Sequence, residues 1–258
     1  MKTVSRLSIA PVKGMALVHA DEISLEPFGV AANRRFFVVD EDGRRYGQIR
    51  DGTLVRIEPS YDETTGALTL RFPDGTVVDG VPQLGESIVT DFYGRPVRGR
   101  VIDGAWSNAI SRFAGRSLRL VRCDEAGAGV DRGLGPVTML SDASLDALAR
   151  QVDAESVDPR RFRMLIGIAG CEPHEEDAWL GRLVRVGEAV VRLHEQVARC
   201  AITTQNPGTG VPDLDTLREI RAYRGTREED GKNIDFGVFG EVDTPGRVRV
   251  GDAVEPLP

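Results

Sequence analysis

Short runs of apolar and β-branched residues, separated by turns, dominate the first hundred positions of the chain. Residues 4–9, 22–25, 35–39 and 67–72 are rich in β-branched or aromatic side chains, which predicts strands. Residues 73–76 read Pro-Asp-Gly-Thr, a turn signal in which proline presets φ and glycine supplies a positive φ. Many short strands with regular turns predict a barrel or a sandwich rather than alternating βαβ units.

Two stretches change to a helical period. The first covers residues 106–114, with Ser107 as the predicted cap and Gly115 as the predicted end. The second follows Ser141, a predicted N-cap, and its apolar stripe consists of Leu145, Leu148, Ala149 and Val152. The chain is therefore predicted to contain a few short helices among its strands.

The C-terminal half returns to strand patterns. Residues 164–168 are continuously apolar, which predicts a buried strand, whereas the acidic residues 170–177 are predicted to be solvated. Residues 183–186 and 189–193 flank Gly187-Glu188 as a predicted hairpin.

The predicted fold class is β-rich α+β. A glycine-rich polar segment over residues 124–135 predicts a loop that crosses between two halves. We place the boundary within residues 115–135, which gives one domain over residues 1–115 and a second over residues 116–258.

Composition excludes several classes of protein. The chain has 258 residues and a formal net charge of −7, which disfavours binding to nucleic acid. No apolar run reaches the length of a membrane span, and the first residues lack the apolar core of a signal peptide. Three cysteines are too few for a disulfide framework or an all-cysteine iron–sulfur cluster. A reducing cytoplasm is therefore the expected location, with no membrane association.

Cys200 lies in the most informative segment of the chain, which runs from Arg199 to Gly210 and reads RCAITTQNPGTG. A neighbouring positive charge favours the thiolate, the form of cysteine that attacks or binds metal. The loop that follows has no apolar period, so we predict that Cys200 lies where a strand ends. By itself this segment leaves two interpretations open: a reactive thiol and a buried structural cysteine.

This segment resembles the signature of the MOSC family, the domain first named from the C-terminus of molybdenum-cofactor sulfurase. Members carry an Arg-Cys pair, a Thr-Thr stretch and a Thr-Gly turn. Further blocks of the chain resemble the family in order: Pro11-Val12-Lys13, residues 32–40, Arg161-Phe162-Arg163, residues 217–224, residues 236–240 and residues 245–252. Each block alone is weak, but the ordered set is specific.

The resemblance implies a fold and a set of site residues. It implies two packed β-barrel-like domains with a cofactor cleft between them. It further implies that Cys200 ligates the metal of a molybdenum cofactor (a molybdopterin), since a soft thiolate suits that metal. The other cofactor-binding residues that it implies are Lys13, Arg35, Arg163, Arg199, Thr203 and Asn206, with the cationic side chains directed at the phosphate.

The chain departs from the family pattern at several positions. Gly14, Leu165 and Ala198 stand where members often carry polar residues, and Asn206 replaces a common acid. Each change removes a side chain that can hydrogen-bond a pterin or a phosphate, although the backbone amide of Gly14 can substitute for one.

Two further arrangements of cysteine and histidine occur in the sequence. Cys171 and His174 form a half-site at zinc spacing without a second pair, which disfavours zinc. His194 precedes Cys200 by six residues, and a Cys/His nucleophilic pair is the less favoured interpretation beside a structural histidine.

The leading functional hypothesis is a molybdenum-dependent oxidoreductase, independent of pyridoxal phosphate, that resembles amidoxime-reducing MOSC proteins. Its small-molecule substrates would be N-hydroxylated compounds. No nicotinamide or phosphate-loop motif occurs, so electrons would come from a separate protein of the ferredoxin or flavin reductase type. Two alternatives stay open: a sulfur carrier with a persulfide on Cys200, and a cofactor carrier without turnover.

Overall fold

A computed structural model of the chain describes residues 1–125, 135–227 and 231–258. These ranges contain eighteen strands and three α-helices, which confirms the predicted β-rich α+β class. No helix in these ranges combines the length and the apolar character that crossing a membrane requires. The predicted crossing loop over residues 124–135 falls mainly on residues 126–134, outside the described part of the chain.

The elements follow one another along the chain in this order. The strands of the first part are β1 Thr3–Ile9, β2 Val18–Ala20, β3 Glu22–Leu25, β4 Phe36–Val39, β5 Arg45–Tyr46, β6 Glu58–Tyr61, β7 Leu68–Arg71, β8 Val77–Val78, β9 Leu84–Asp91, β10 Pro96–Ile102 and β11 Arg119–Cys123. Those of the second part are β12 Val137–Ser141, β13 Ile166–Ala169, β14 Leu183–Val186, β15 Ala189–Ala198, β16 Asp235–Thr244, β17 Gly246–Arg249 and β18 Val254–Pro256. The helices are α1 Ala105–Ala114, α2 Asp142–Gln151 and α3 Thr216–Arg224.

The largest sheet has eight strands in the order β18-β14-β15-β16-β12-β13-β1-β2. Only β12 and β13 pair in parallel within it, and β1 runs antiparallel to β13 with Leu7 opposite Ile166. The first strand of the chain is therefore part of a sheet built mostly by the C-terminal half. A contiguous division into residues 1–115 and 116–258 stays a prediction.

The second sheet has five strands in the order β5-β4-β11-β10-β9, and a separate three-stranded sheet contains β6, β7 and β8. Strand β4 is buried on both faces. Phe36 and Val38 join one apolar cluster, whereas Phe37 and Val39 join another. This division follows from the two-residue period of a strand, which sends successive side chains to opposite faces.

The helix predictions are confirmed at α2 and corrected at α1. The Oγ atom of Ser141 accepts a hydrogen bond from the backbone N–H of Ser144 at 3.1 Å, as an N-cap does. Helix α1 ends at Gly115, with φ of +65°, as predicted, but Ser107 is not its cap. Ser107 lies within the first turn, where its hydroxyl donates to the carbonyl of Ile102 and accepts from Leu120 N–H at 2.9 Å.

The acidic segment over residues 170–177 is not fully solvated, contrary to the sequence prediction. Glu176 is completely buried, and its Oε1 accepts hydrogen bonds from Ser141 N–H at 3.2 Å and Ser144 Oγ at 2.8 Å. Burial is the main reason that the pKa of this carboxyl is raised. A short 3-10 helix over Glu175–Trp179 turns the side chain inward beneath α2.

Candidate active site

Cys200 lies at the end of strand β15, as the sequence predicts. The strand stops at Ala198, and a 3-10 turn over Ala201–Thr204 follows directly. Cys200 itself has an extended backbone and is solvent-exposed. This exposure excludes the interpretation of Cys200 as a buried structural cysteine. Its carbonyl accepts hydrogen bonds from the backbone N–H and the Oγ1 of Thr203, both at 3.1 Å, which fix the turn beside the thiol.

The thiol opens into a cleft of about 880 Å³. Both parts of the chain contribute to its wall, including the loop after β1, the turn after β5 and the segment from residue 197 to residue 203. Eight cationic residues line this cleft together with Cys200. Two of them, Arg44 and Arg50, form ion pairs with Asp42 and Asp40. The other six are Lys13, Arg34, Arg45, Arg161, Arg163 and Arg199. We call these six side chains the cationic wall.

Lys13 is brought to the cleft by the turn that follows β1. Its backbone N–H donates to the carbonyl of Phe36 at 2.8 Å, and Gly14 turns the chain with φ of +87°. Burial holds the pKa of the Lys13 ammonium well below its ordinary value, and the charges of Arg34, Arg163 and Arg45 lower it further. An anion within the cleft would favour the charged ammonium and so raise the Lys13 pKa again.

Arg163 enters the cleft from the other half of the chain. It follows the short 3-10 helix over Pro159–Phe162 and has φ of +51°, a left-handed conformation that is uncommon outside glycine. Its Nη2 donates to the carbonyl of Met15 at 2.8 Å and so joins the two halves. Burial lowers the pKa of this guanidinium to about 10, which leaves it charged at neutral pH.

Arg199 lines the cleft beside Cys200, but its donors serve the protein interior. Nε donates to the carbonyl of Phe236 at 2.7 Å, and Nη1 donates to that of Phe162 at 3.0 Å. The guanidinium also lies 5.3 Å from the Phe162 ring centroid. Arg199 therefore adds a fixed positive charge to the cleft that Cys200 lines, and it joins β16 to the 3-10 helix.

Thr203 lines the cleft, but its hydroxyl faces the interior. Besides the Cys200 carbonyl, its Oγ1 contacts Thr216 Oγ1 at 2.7 Å. Asn206 does not line the cleft. Its Nδ2 donates to Asp213 at 2.8 Å, and its Oδ1 accepts from the N–H groups of Gly208 and Thr209, so it shapes the loop as an Asx turn does.

Arg35 is not among the residues that line the cleft, and Arg34 takes the expected place instead. Arg34 has φ of +54° just before β4, and its Nη2 lies 3.5 Å from the carbonyl of Arg163. Arg35 directs its Nη1 to the carbonyl of Asp124 at 3.5 Å. The left-handed backbone of Arg34 breaks the alternation of side-chain directions that a continuous strand through residues 34 and 35 would have.

Sequence reasoning also missed Arg45 and Arg161. Arg161 is buried, and its Nη1 contacts Asp213 at 2.7 Å and the carbonyl of Gln205 at 2.9 Å. It belongs to the Arg161-Phe162-Arg163 block, from which the resemblance implies only Arg163 as a site residue. Arg45 stacks on the Tyr93 ring at 3.7 Å, and no motif marks it.

The departures from the family pattern have different structural outcomes. Gly14 and Ala198 both line the cleft, so the polar side chains that family members often carry at these positions are absent from the cleft itself. Leu165 is buried in the core at 1% exposure and does not line it. The change at Leu165 therefore removes no group from the described cleft.

The two weaker cysteine and histidine arrangements find no support in the described residues. No group of three or more His, Cys, Asp or Glu residues with metal-binding geometry occurs in that part of the chain. The Nε2 of His174 contacts the Tyr223 hydroxyl at 3.3 Å. His194 pairs with Glu241 at 3.3 Å and does not line the cleft with Cys200.

Family comparison agrees with this geometry. Residues 131–255 match the family model described as the MOSC domain, and residues 1–86 match that of the MOSC N-terminal beta barrel domain. The chain belongs to the MOSC family. The first matched range carries Cys200 and Arg163, and the second carries Lys13 and Arg34.

Several curated proteins are similar to this MOSC chain over most of its length. "Mitochondrial amidoxime-reducing component 1" of Xenopus laevis is 27% identical over 97% of the chain and 81% of its own length. "Mitochondrial amidoxime reducing component 2" of Homo sapiens is 27% identical over 98% of the chain and 82% of its own length. "Molybdenum cofactor sulfurase" of Caenorhabditis briggsae is 25% identical over 93% of the chain but only 33% of its own length.

Among solved structures, the YuaD protein of Bacillus subtilis covers 99% of this chain and is itself covered over 96%. Its TM-score is 0.46 and its sequence identity is 11%.

Proposed function

We propose that this MOSC protein is a molybdenum-cofactor oxidoreductase that reduces N-hydroxylated small molecules with electrons from a separate redox protein. The observation that carries the proposal is one exposed thiol, Cys200, in a cleft that eight cationic side chains line, six of them in the cationic wall. The relatives whose alignments cover 97–98% of the chain are amidoxime-reducing components by name, and these names supply the reaction class.

The residues present fit a molybdenum cofactor. Lys13 lines the cleft together with Arg34 and Arg163, and its pKa is lowered by burial and then by the charges of these arginines. An anionic phosphate is the group that such a position favours. Lys13, Arg34 and Arg163 would hold the phosphate, and Cys200 would ligate the metal as a thiolate. Arg199 would add positive charge to the cleft, while its Nε and Nη1 donors stay on the carbonyls of Phe236 and Phe162.

The bound cofactor would supply two-electron transfer and accept oxygen from the substrate. In the balanced reaction, the N–O bond breaks, two electrons and two protons enter, and an N–H bond and one water molecule form. The chain itself binds the reactants and holds the cofactor by groups fixed from both halves, as the Arg163–Met15 contact illustrates. A rigid site of this kind stabilises developing charge without rearrangement.

The electrons would arrive from a ferredoxin-type or flavin-type protein, and the proposed location is the cytoplasm. The first proposal rests on the sequence, which has no nicotinamide-binding motif, and the second rests on its small number of cysteines, three.

A sulfur carrier is the second candidate, and one observation favours it. Cys200 is exposed beside a positive charge, as an attacking or persulfide-carrying cysteine requires, and the chain is similar to a molybdenum cofactor sulfurase. A cofactor carrier without turnover is the third candidate, because the same cationic wall would serve storage.

Metal analysis of protein from a host that makes the cofactor tests the proposal. We expect near-stoichiometric molybdenum in the wild type and strong loss in Cys200→Ser. Cys171→Ser is the matched control, because Cys171 does not line the cleft and should leave the metal content unchanged.

Turnover then separates the candidates. Reduction of an amidoxime with a chemical reductant supports the oxidoreductase, and bound molybdenum without turnover supports the carrier. Folded protein that lacks molybdenum in both wild type and variant would overturn the leading proposal in favour of the persulfide.

A further inference from the structure

Three large apolar side chains that line the cleft are unusually exposed. Ile49, Val89 and Tyr93 line the cleft and are 61%, 60% and 62% exposed. Single exposed apolar residues are common on any surface, whereas a group that lines one concave site marks a binding surface. We call these three side chains the apolar wall.

Tyr93 occupies a backbone position that tyrosine rarely takes. It is the first of the two residues, Tyr93 and Gly94, at the tip of the hairpin between β9 and β10, and their φ values are +60° and +82°. Positive φ at both positions is typical of a type I′ turn, which favours Asn-Gly or Asp-Gly. An aromatic side chain there costs conformational energy, and such strain concentrates at functional sites.

The ring of Tyr93 is also held in place. The Arg45 guanidinium carbon lies 3.7 Å from the centroid of the Tyr93 ring, which fixes one face of the ring by a cation–π contact. Arg45 belongs to the cationic wall and lowers the pKa of Lys13 by its charge. Through Tyr93 the apolar wall therefore adjoins the site that we propose for the cofactor.

The charges around the apolar wall distinguish between two occupants, an electron-transfer protein and a small-molecule substrate. Arg44 pairs with Asp42 at 2.8 Å, and Arg50 pairs with Asp40 at 3.0 Å, so these charges compensate each other at the rim. An electron-transfer protein that is steered electrostatically needs an unbalanced rim. A small molecule needs only a concave apolar surface beside polar groups, and a cleft of about 880 Å³ has the size of such a site.

Resting on the proposed function, we infer that Ile49, Val89 and Tyr93 determine substrate specificity by binding a planar apolar body next to the N-hydroxyl group. Aryl amidoximes would thus be preferred over small polar ones. The substrate body would pack on the apolar wall, while the cationic wall would hold the cofactor.

Two probes with the same reacting group test the inference: benzamidoxime, which carries a ring, and acetamidoxime, which carries a methyl group. With a chemical reductant, the wild type should show a KM for benzamidoxime about tenfold lower than that for acetamidoxime, equivalent to about 1.4 kcal/mol. Tyr93→Asn should remove most of this preference by raising the benzamidoxime KM alone. Tyr93→Phe retains the ring and should retain the preference.

Folding and binding are controlled separately. Asn-Gly is the favoured type I′ sequence, so Tyr93→Asn should fold with an unchanged or higher Tm. Val89→Ala should lower the preference, whereas Val81→Ala is the matched control, because Val81 is 62% exposed and does not line the cleft. Calorimetric titration of benzamidoxime into unreduced protein should show about tenfold weaker binding in Tyr93→Asn.

Each other outcome has a defined meaning. If the wild type reduces neither amidoxime, the proposed function fails. If it reduces both with equal KM, the function stands and the specificity inference is overturned. If the variants keep the preference but raise the KM for a donor protein, the apolar wall binds the electron donor, which also overturns the inference.

Discussion

The hydroxyl groups of Thr203 and Thr216 lie 2.7 Å apart in the protein interior, one at the turn after Cys200 and the other at the start of α3. Thr216 is fully buried, and Thr203 is 3% exposed. The contact therefore fixes the turn that carries the thiol against the helix behind it.

Thr203→Val should destabilise the fold because it leaves the Thr216 hydroxyl buried without this partner. The expected loss in the free energy of unfolding is about 1–3 kcal/mol. Thr203→Ser retains the hydroxyl and is the matched control. Urea unfolding of both variants is the measurement, and equal stability of the two would show that the hydroxyl contact is unimportant.

Lys13→Met should stabilise the cofactor-free protein while it abolishes cofactor retention. The pKa of Lys13 is lowered by burial and by neighbouring arginines, so its charged form is disfavoured in the fold. The expected gain in the free energy of unfolding at neutral pH is on the order of 1 kcal/mol, the usual size of a single-residue effect.

The pH dependence supplies a second readout for Lys13. A base whose pKa is depressed in the fold makes stability rise with pH up to the ordinary lysine range, and Lys13→Met should lose this rise. Lys2→Met is the contrasting control: the Lys2 ammonium contacts Glu175 at 2.8 Å and its pKa is raised. Stabilisation by both substitutions would contradict the electrostatic explanation.

Arg34→Ala should reduce bound molybdenum, whereas Arg35→Ala should leave it near the wild-type level. Arg34 lines the cleft, and Arg35 contacts the Asp124 carbonyl instead. Loss of one charge-assisted contact to phosphate costs about 1–3 kcal/mol, so retention after dialysis should fall roughly tenfold or more. The reverse result would show that the family motif, and not the structure, identifies the functional arginine.

His174 should make the fold less stable in acid. Burial lowers its pKa to about 4 from an ordinary value near 6.5. Its contribution to stability is therefore complete above pH 6.5 and is lost as the pH falls from 6.5 to 4, by roughly 1–3 kcal/mol.

His174→Asn tests this pH dependence without new backbone strain. The residue has φ of +61°, which asparagine tolerates. Unfolding measured between pH 7 and pH 4 should have a smaller slope in the variant. An identical slope would assign the acid sensitivity to carboxylates whose pKa is lowered in the fold, such as Asp158 and Asp213. Glu176 acts in the opposite direction, because its raised pKa makes the fold more stable as the pH falls.

The sequence determined the local elements because their signals are local. The period of two predicted the strands, and Ser141 marked the start of α2 because its side chain caps the residues directly after it. The end of β15 before Cys200 was visible because the apolar period stops there. The ordered motifs indicated the MOSC family and the involvement of Lys13, Arg163 and Cys200 in one cleft, which the structure brings together.

Only the tertiary structure decided which side chains share a surface. Arg34 replaces Arg35 in the cleft because one left-handed residue shifts the alternation before β4, and no composition signal marks that φ value. Glu176 is buried because the start of α2 supplies two hydrogen-bond donors, the backbone N–H of the N-cap Ser141 and the hydroxyl of Ser144, although its acidic neighbours predict exposure. Each outcome depends on contacts between distant segments, and a local pattern contains no information about which distant segment will supply the partner.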